Sequence, residues 1–136
     1  MKHSARVLAA RSAPLAAAYC DQLHEMMGTA IEALAAGRHL EAVEEFERAL
    51  DPMQKLLVFG AVVDSMLRDA QHPLRPELKA FNRGLAGALE DIEEALLARD
   101  FSRMREVLLS EVMANLQRHA AFGSRLTAAL QPRLAA

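Results

Sequence analysis

Five histidines and one cysteine are the side chains in this sequence best suited to metal ligation or nucleophilic chemistry. The histidines are His3, His24, His39, His72 and His119, and the cysteine is Cys20. Helical di-iron proteins hold their metals through Glu-x-x-His pairs that project inward from two helices. No such pair occurs in this chain, and neither does HExxH or CxxC. Glu111, Asn115 and His119 do follow one another at steps of four, which lines them along one edge of a helix. With a rise of about 1.5 Å per residue, the ends of that row stand about 12 Å apart, too far to share one ion. The row reads as a polar helix edge or a satisfied core histidine, and no metal ligand is assigned. Cys20 has no Cys-His signature and reads as a small apolar residue that packs. There is no GxSxG elbow, and GLAG at 84–87 falls inside a helical pattern instead of a phosphate-binding loop. The sequence therefore assigns no catalytic residue and no cofactor, and points away from an enzyme.

The helices that must carry these residues are constrained by composition. The chain has 136 residues, a typical size for one domain with one core. Its hydrophobic fraction of 52% is raised by alanine, while Trp is absent, so Leu, Ala, Val and Met must build the interior. Sixteen basic and 18 acidic residues leave a net charge of -2, unlike the strongly basic face of a nucleic-acid binder. A single cysteine excludes an intramolecular disulfide framework and suits a cytoplasmic protein. Lys2, Arg6 and Arg11 precede APLAAAYC, but Arg11 and Pro14 interrupt the apolar stretch of about 7–15 residues that a signal peptide needs. The longest strongly apolar run, LLVFGAVV at 56–63, is far shorter than the ~20 residues of a membrane span.

Periodicity then divides the chain. Residues 1–13 read as a flexible basic arm. Helix one starts at Pro14, a favoured first-turn residue, and carries Leu15, Tyr19, Leu23, Met26, Met27, Ala30 and Leu34 on one stripe. Gly37 ends it, because glycine accepts the left-handed backbone of a helix terminus. Helix two starts near His39 or Leu40 and turns Leu40, Val43, Phe46 and Leu50 inward. Asp51-Pro52 kinks or briefly breaks it, since Met53, Leu56, Leu57, Gly60, Val63 and Leu67 continue the stripe. QHPLRPE at 71–77 is the clearest loop. Helix three spans about Pro76 to Arg99, with Leu78, Phe81, Leu85, Leu89, Ile92 and Leu96 inward. Gly84 and Gly87 each cost it up to ~1 kcal/mol against alanine, which a close helix crossing would justify. Asp100 caps helix four, whose stripe is Phe101, Met104, Leu108, Val112, Leu116, Phe122 and Leu126. Residues 131–136 read as a frayed end.

One excess stands out. A bundle helix needs one apolar stripe. Between Leu56 and Leu67 there are two: Phe59, Val62 and Met66 form the second, with Val58 beside it. Either this helix is central and buried on two sides, or Val58, Phe59, Val62 and Met66 bind a protein partner or a second copy of the chain.

Two resemblances follow from the corners. GRHLEAVEEFERALDP resembles the corner of a tetratricopeptide repeat, but no second repeat follows at the required period, so it reads as a generic tight turn between helices. More broadly, Tyr19 in helix one, an Ala-rich corner, a long second helix and then EEALLARDFSRMREVLLSEV resemble the flagellin-export chaperone family, most specifically over Ala95 to Leu109. That resemblance implies an antiparallel four-helix bundle that holds an aggregation-prone subunit in the cytoplasm before secretion.

The expectation is thus an all-α chain: an antiparallel up-and-down four-helix bundle over 14–130, with short corners at Gly37 and Arg99-Asp100. Its leading function is a non-enzymatic interaction module, chaperone-like or adaptor-like, with a protein partner or a homodimer and neither nucleic acid nor membrane. The alternatives are a bundle enzyme or ligand carrier with an internal site, and a structural homo-oligomer.

Overall fold

A computed structural model describes residues 2–130, with side chains from residue 11 onward. The chain is all-helical; no strand occurs among the described residues. Four helical rods follow one another: α1 (Lys2–Ala35), α2 (His39–Asp69), α3 (Arg75–Leu97), and a last rod built from α4 (Phe101–Val107), a π-helical turn (Leu108–Val112) and α5 (Met113–Leu130). α1 packs on α2 and α5, and α3 packs on α2 and on the fourth rod.

Heptad spacing explains which faces are buried. Ala13, Ala16, Cys20, Leu23, Met27, Ala30 and Leu34 of α1 are all buried, at alternating steps of three and four. In α2 the same alternation runs through Ala42, Phe46, Ala49, Met53, Leu56, Gly60, Val63 and Leu67. In α3 it runs through Leu78, Phe81, Leu85, Ala88, Ile92 and Ala95. Such a repeat keeps one seam facing its neighbours along a whole helix. In the fourth rod the alternation slips: Met104, Leu108 and Val112 are separated by two successive steps of four. The π turn lies at that slip. It accommodates one more residue than an α turn would, so Leu116, His119, Phe122 and Leu126 still reach the core.

All three corners use one terminating motif. The Arg38 N–H bonds the Ala33 carbonyl and the Gly37 N–H bonds that of Leu34, the paired bonds of a Schellman end. His72 and Gln71 repeat them on Leu67 and Arg68, and Asp100 and Arg99 repeat them on Ala95 and Leu96. The left-handed position holds glycine only in the first corner (Gly37, φ 77°); Gln71 (φ 52°) and Arg99 (φ 54°) take it elsewhere. Asp100 then caps α4, its Oδ1 accepting the Arg103 N–H at 3.0 Å. Between rods, Arg75 holds Asp64 at 3.2 Å and Arg125 grips both carboxylate oxygens of Glu77.

Several boundaries and faces differ from the sequence expectation. α1 begins at Lys2, not at Pro14, which lies inside it. KHSARVLAARSA contains no glycine or proline, and the φ of Pro14 is already helical, so it removes one hydrogen bond without ending the helix. The arm assigned to 1–13 therefore has helical backbone from Lys2, while its side chains through residue 10 and the tail at 131–136 lie outside the described residues. α2 is continuous across Pro52. Leu40 is 72% exposed and Leu15 57%, because the heptad phases start from Ala42 and Ala13 and leave both leucines off the seam. Gly84 does sit at a close approach, where an added Cβ would collide with the Asn115 amide, but Gly87 faces open space. A second close approach, Gly60 of α2 against Asn82 of α3, has no counterpart in the expectation.

Candidate protein-binding groove

The seam of α2 takes Leu56, Gly60 and Val63 inward, and this fixes where the second stripe goes. Val58 and Val62 point to solvent, 65% and 45% exposed, while Phe59 and Met66 are half-buried against the edge of the core. The stripe is thus split, with Phe59 and Met66 packed on the core and Val58 and Val62 exposed. Across from it, α1 presents Leu15, Ala16 and Tyr19. These two walls enclose an open apolar groove of about 600 Å³, floored by Leu56 and Phe59. Val58, Phe59 and Val62 line it; Met66 does not. Ser12, Asp51, Gln54 and Lys55 form its polar rim. Lys55 holds Asp51 at 3.0 Å, and that hydrogen bond and charge, with a smaller contribution from Tyr19, push the lysine pKa up.

The α1 wall was legible in principle. Leu15 falls out of phase with Ala13, Ala16 and Cys20, and an off-phase leucine on an amphipathic helix marks a face that the bundle itself does not use. Counting Leu15 as part of the core stripe concealed it.

The chemically suggestive residues lie elsewhere. Cys20 is buried, and burial, followed by the neighbouring charge of Asp21, pushes its thiol up to about 12. A thiol held protonated is a poor nucleophile. His24 is exposed, and His72 sits in the second corner, where its Nδ1 accepts the Leu74 N–H at 3.1 Å. His39 stacks on Phe101. His119 is buried between Phe81 and Phe122, with centroid distances of 5.1 and 5.2 Å. Burial pushes its pKa down, and Asp21 opposes that more weakly. Asn115 is buried one turn away, its Nδ2 donating to the Glu111 carbonyl at 2.8 Å. Glu111 belongs to the π turn, and its buried Oε2 has no hydrogen-bond partner. The row Glu111, Asn115, His119 is thus a structural edge with one unsatisfied oxygen. Among the described residues no three His, Cys, Asp or Glu side chains gather as a metal site, and none of the helices is long and apolar enough to cross a membrane.

No family model, no curated protein and no solved structure matches this chain.

Proposed function

We propose that the chain is a non-enzymatic, cytoplasmic interaction module: an antiparallel up-and-down bundle, α2 bending at Pro52, that holds an apolar helix of a protein partner in the α1–α2 groove. The chaperone-like role follows the resemblance over Ala95 to Leu109, and the client is an aggregation-prone subunit of the flagellin kind. The observation that carries the reading is the exposure of Leu15, Val58 and Val62 along one groove, beside Tyr19 and Phe59. Covering a Val or Leu side chain contributes roughly 1.5–3 kcal/mol, so a few such residues suffice to anchor a modest helix-in-groove contact. Left uncovered, a contiguous patch of this kind favours aggregation.

The test uses two adjacent valines. Val62 faces the groove, whereas Val63 is fully buried. Val62→Glu should keep the helicity and melting temperature of the parent, and Val63→Glu should unfold it, because an unpaired charge in the core is not tolerated. Purified flagellin, brought from acid to neutral pH, then reports client binding by light scattering. The parent should slow its aggregation and Val62→Glu should not. If the parent leaves flagellin unaffected yet forms a dimer that Val62→Glu dissociates, the occupant is a second copy and the client assignment fails. If Val62→Glu unfolds the monomer, the stripe is core and the groove has no binding role.

A further inference from the structure

The recess between the first and third corners is lined by His39, Arg99, Ser102 and Arg105, with Phe101 and Leu34 behind them, and has a volume of about 320 Å³. Its floor is set by the stacking of His39 on Phe101, with ring centroids 4.1 Å apart and planes 14° from parallel. Two guanidinium groups, those of Arg99 and Arg105, line this one recess. Arg38, Arg48, Arg75, Arg103 and Arg125 each hold a carboxylate. Arg99 and Arg105 make neither an ion pair nor a side-chain hydrogen bond among the described residues. In a chain with more acids than bases, two unpaired guanidinium groups on one recess leave a local cationic excess. Asp100 also lines it, but its Oδ1 is engaged by the Arg103 N–H and it offsets only one of the two charges.

We propose that this recess binds a phosphate group, either the free ion or the head of a small phosphomonoester. Guanidinium groups match the oxygen spacing of phosphate through paired N–H donors, and their hydrogen bonds to an anion are among the strongest at a protein surface. The Ser102 hydroxyl supplies a further donor. The helix start contributes nothing, since Asp100 already occupies it. This site is separate from the α1–α2 groove and does not depend on its role.

The test is a titration of the isotope-labelled protein, followed by amide NMR, with inorganic phosphate and in parallel with glycerol 2-phosphate. Sodium chloride holds ionic strength constant. Both ligands should give saturable shifts confined to His39 and residues 99–105, and the tighter of the two identifies the natural form of the ligand. Arg105→Gln and Arg99→Gly should each weaken binding about tenfold, the value of one charge-assisted hydrogen bond. Arg99→Gly removes the guanidinium while easing a left-handed backbone, so loss of folding cannot account for its effect. Arg83→Gln, which removes another exposed arginine, should leave binding unchanged. Shifts that never saturate, that spread along the chain, or that respond equally to Arg83→Gln would overturn the site.

Discussion

Asn115 of α5 lies directly over Gly84 of α3, so that a Cβ on Gly84 would overlap its side-chain amide. That amide cannot easily move aside. Its Nδ2 is bonded to the Glu111 carbonyl, and Asn115 is 5% exposed. Gly87, three residues along the same helix, has nothing within 4 Å of the equivalent position. The two glycines should therefore respond oppositely to alanine. Gly87→Ala should raise stability by about 0.5–1 kcal/mol through helix propensity alone. Gly84→Ala gains the same propensity but loses about 1–3 kcal/mol to overpacking, so it should lower stability. Urea unfolding of the two variants checks both signs.

Burial of His119 makes the bundle sensitive to mild acid. Its folded pKa is pushed down by desolvation, so the folded state favours the neutral ring. The unfolded chain takes up a proton once pH falls below about 6.5, and the folded chain resists. This contribution to stability is complete above that value and is lost progressively as pH drops below it, until the folded-state pKa is passed. Replacing His119 with Gln should flatten the pH dependence of the melting temperature between pH 7 and 5, whatever its effect on stability at pH 7.

The second corner offers a gain. Gln71 takes the left-handed position that Gly37 occupies in the first corner. Only glycine adopts that conformation without a steric cost. Gln71→Gly should raise stability by about 1 kcal/mol, and Gly37→Ala should lower it by a similar amount. For a chain of this size the melting temperature should move by about 3 °C in each direction.

The sequence disclosed the helical class and the corners because Gly37, Asp100 and the prolines within 71–77 are strong local signals, although the loop expected over 71–77 is shorter, α3 starting at Arg75 with Pro76 in its first turn. It also located the surplus stripe, since Phe59, Val62 and Met66 outnumber what one face requires. The errors came from reading each stripe without its phase. Leu15 and Leu40 are apolar, and apolarity alone placed them inside; the alternation of threes and fours places them outside. The π turn lay within the same pattern, in the successive steps of four from Met104 to Val112. The contact of Gly60 with Asn82 left no trace of that kind, because a glycine on a core stripe is equally consistent with a bulge, a kink or a close neighbour. The phase of Leu15 also marks the α1 wall of the groove, whereas the pairing of His39 with Phe101 joins distant parts of the chain and needed the packed structure.

The π turn has a consequence for chain length. Ser110 and Leu109 sit in it exposed, and the Ser110 hydroxyl donates back to the Glu106 carbonyl at 2.7 Å. The core on either side is in register only because the turn is wide. A polypeptide lacking Ser110 could wind that stretch as ordinary α-helix and still deliver Val112, Leu116 and Phe122 to the same neighbours. The fourth rod thus carries a spare residue, and removing it should shorten the rod by one position without rethreading the interior.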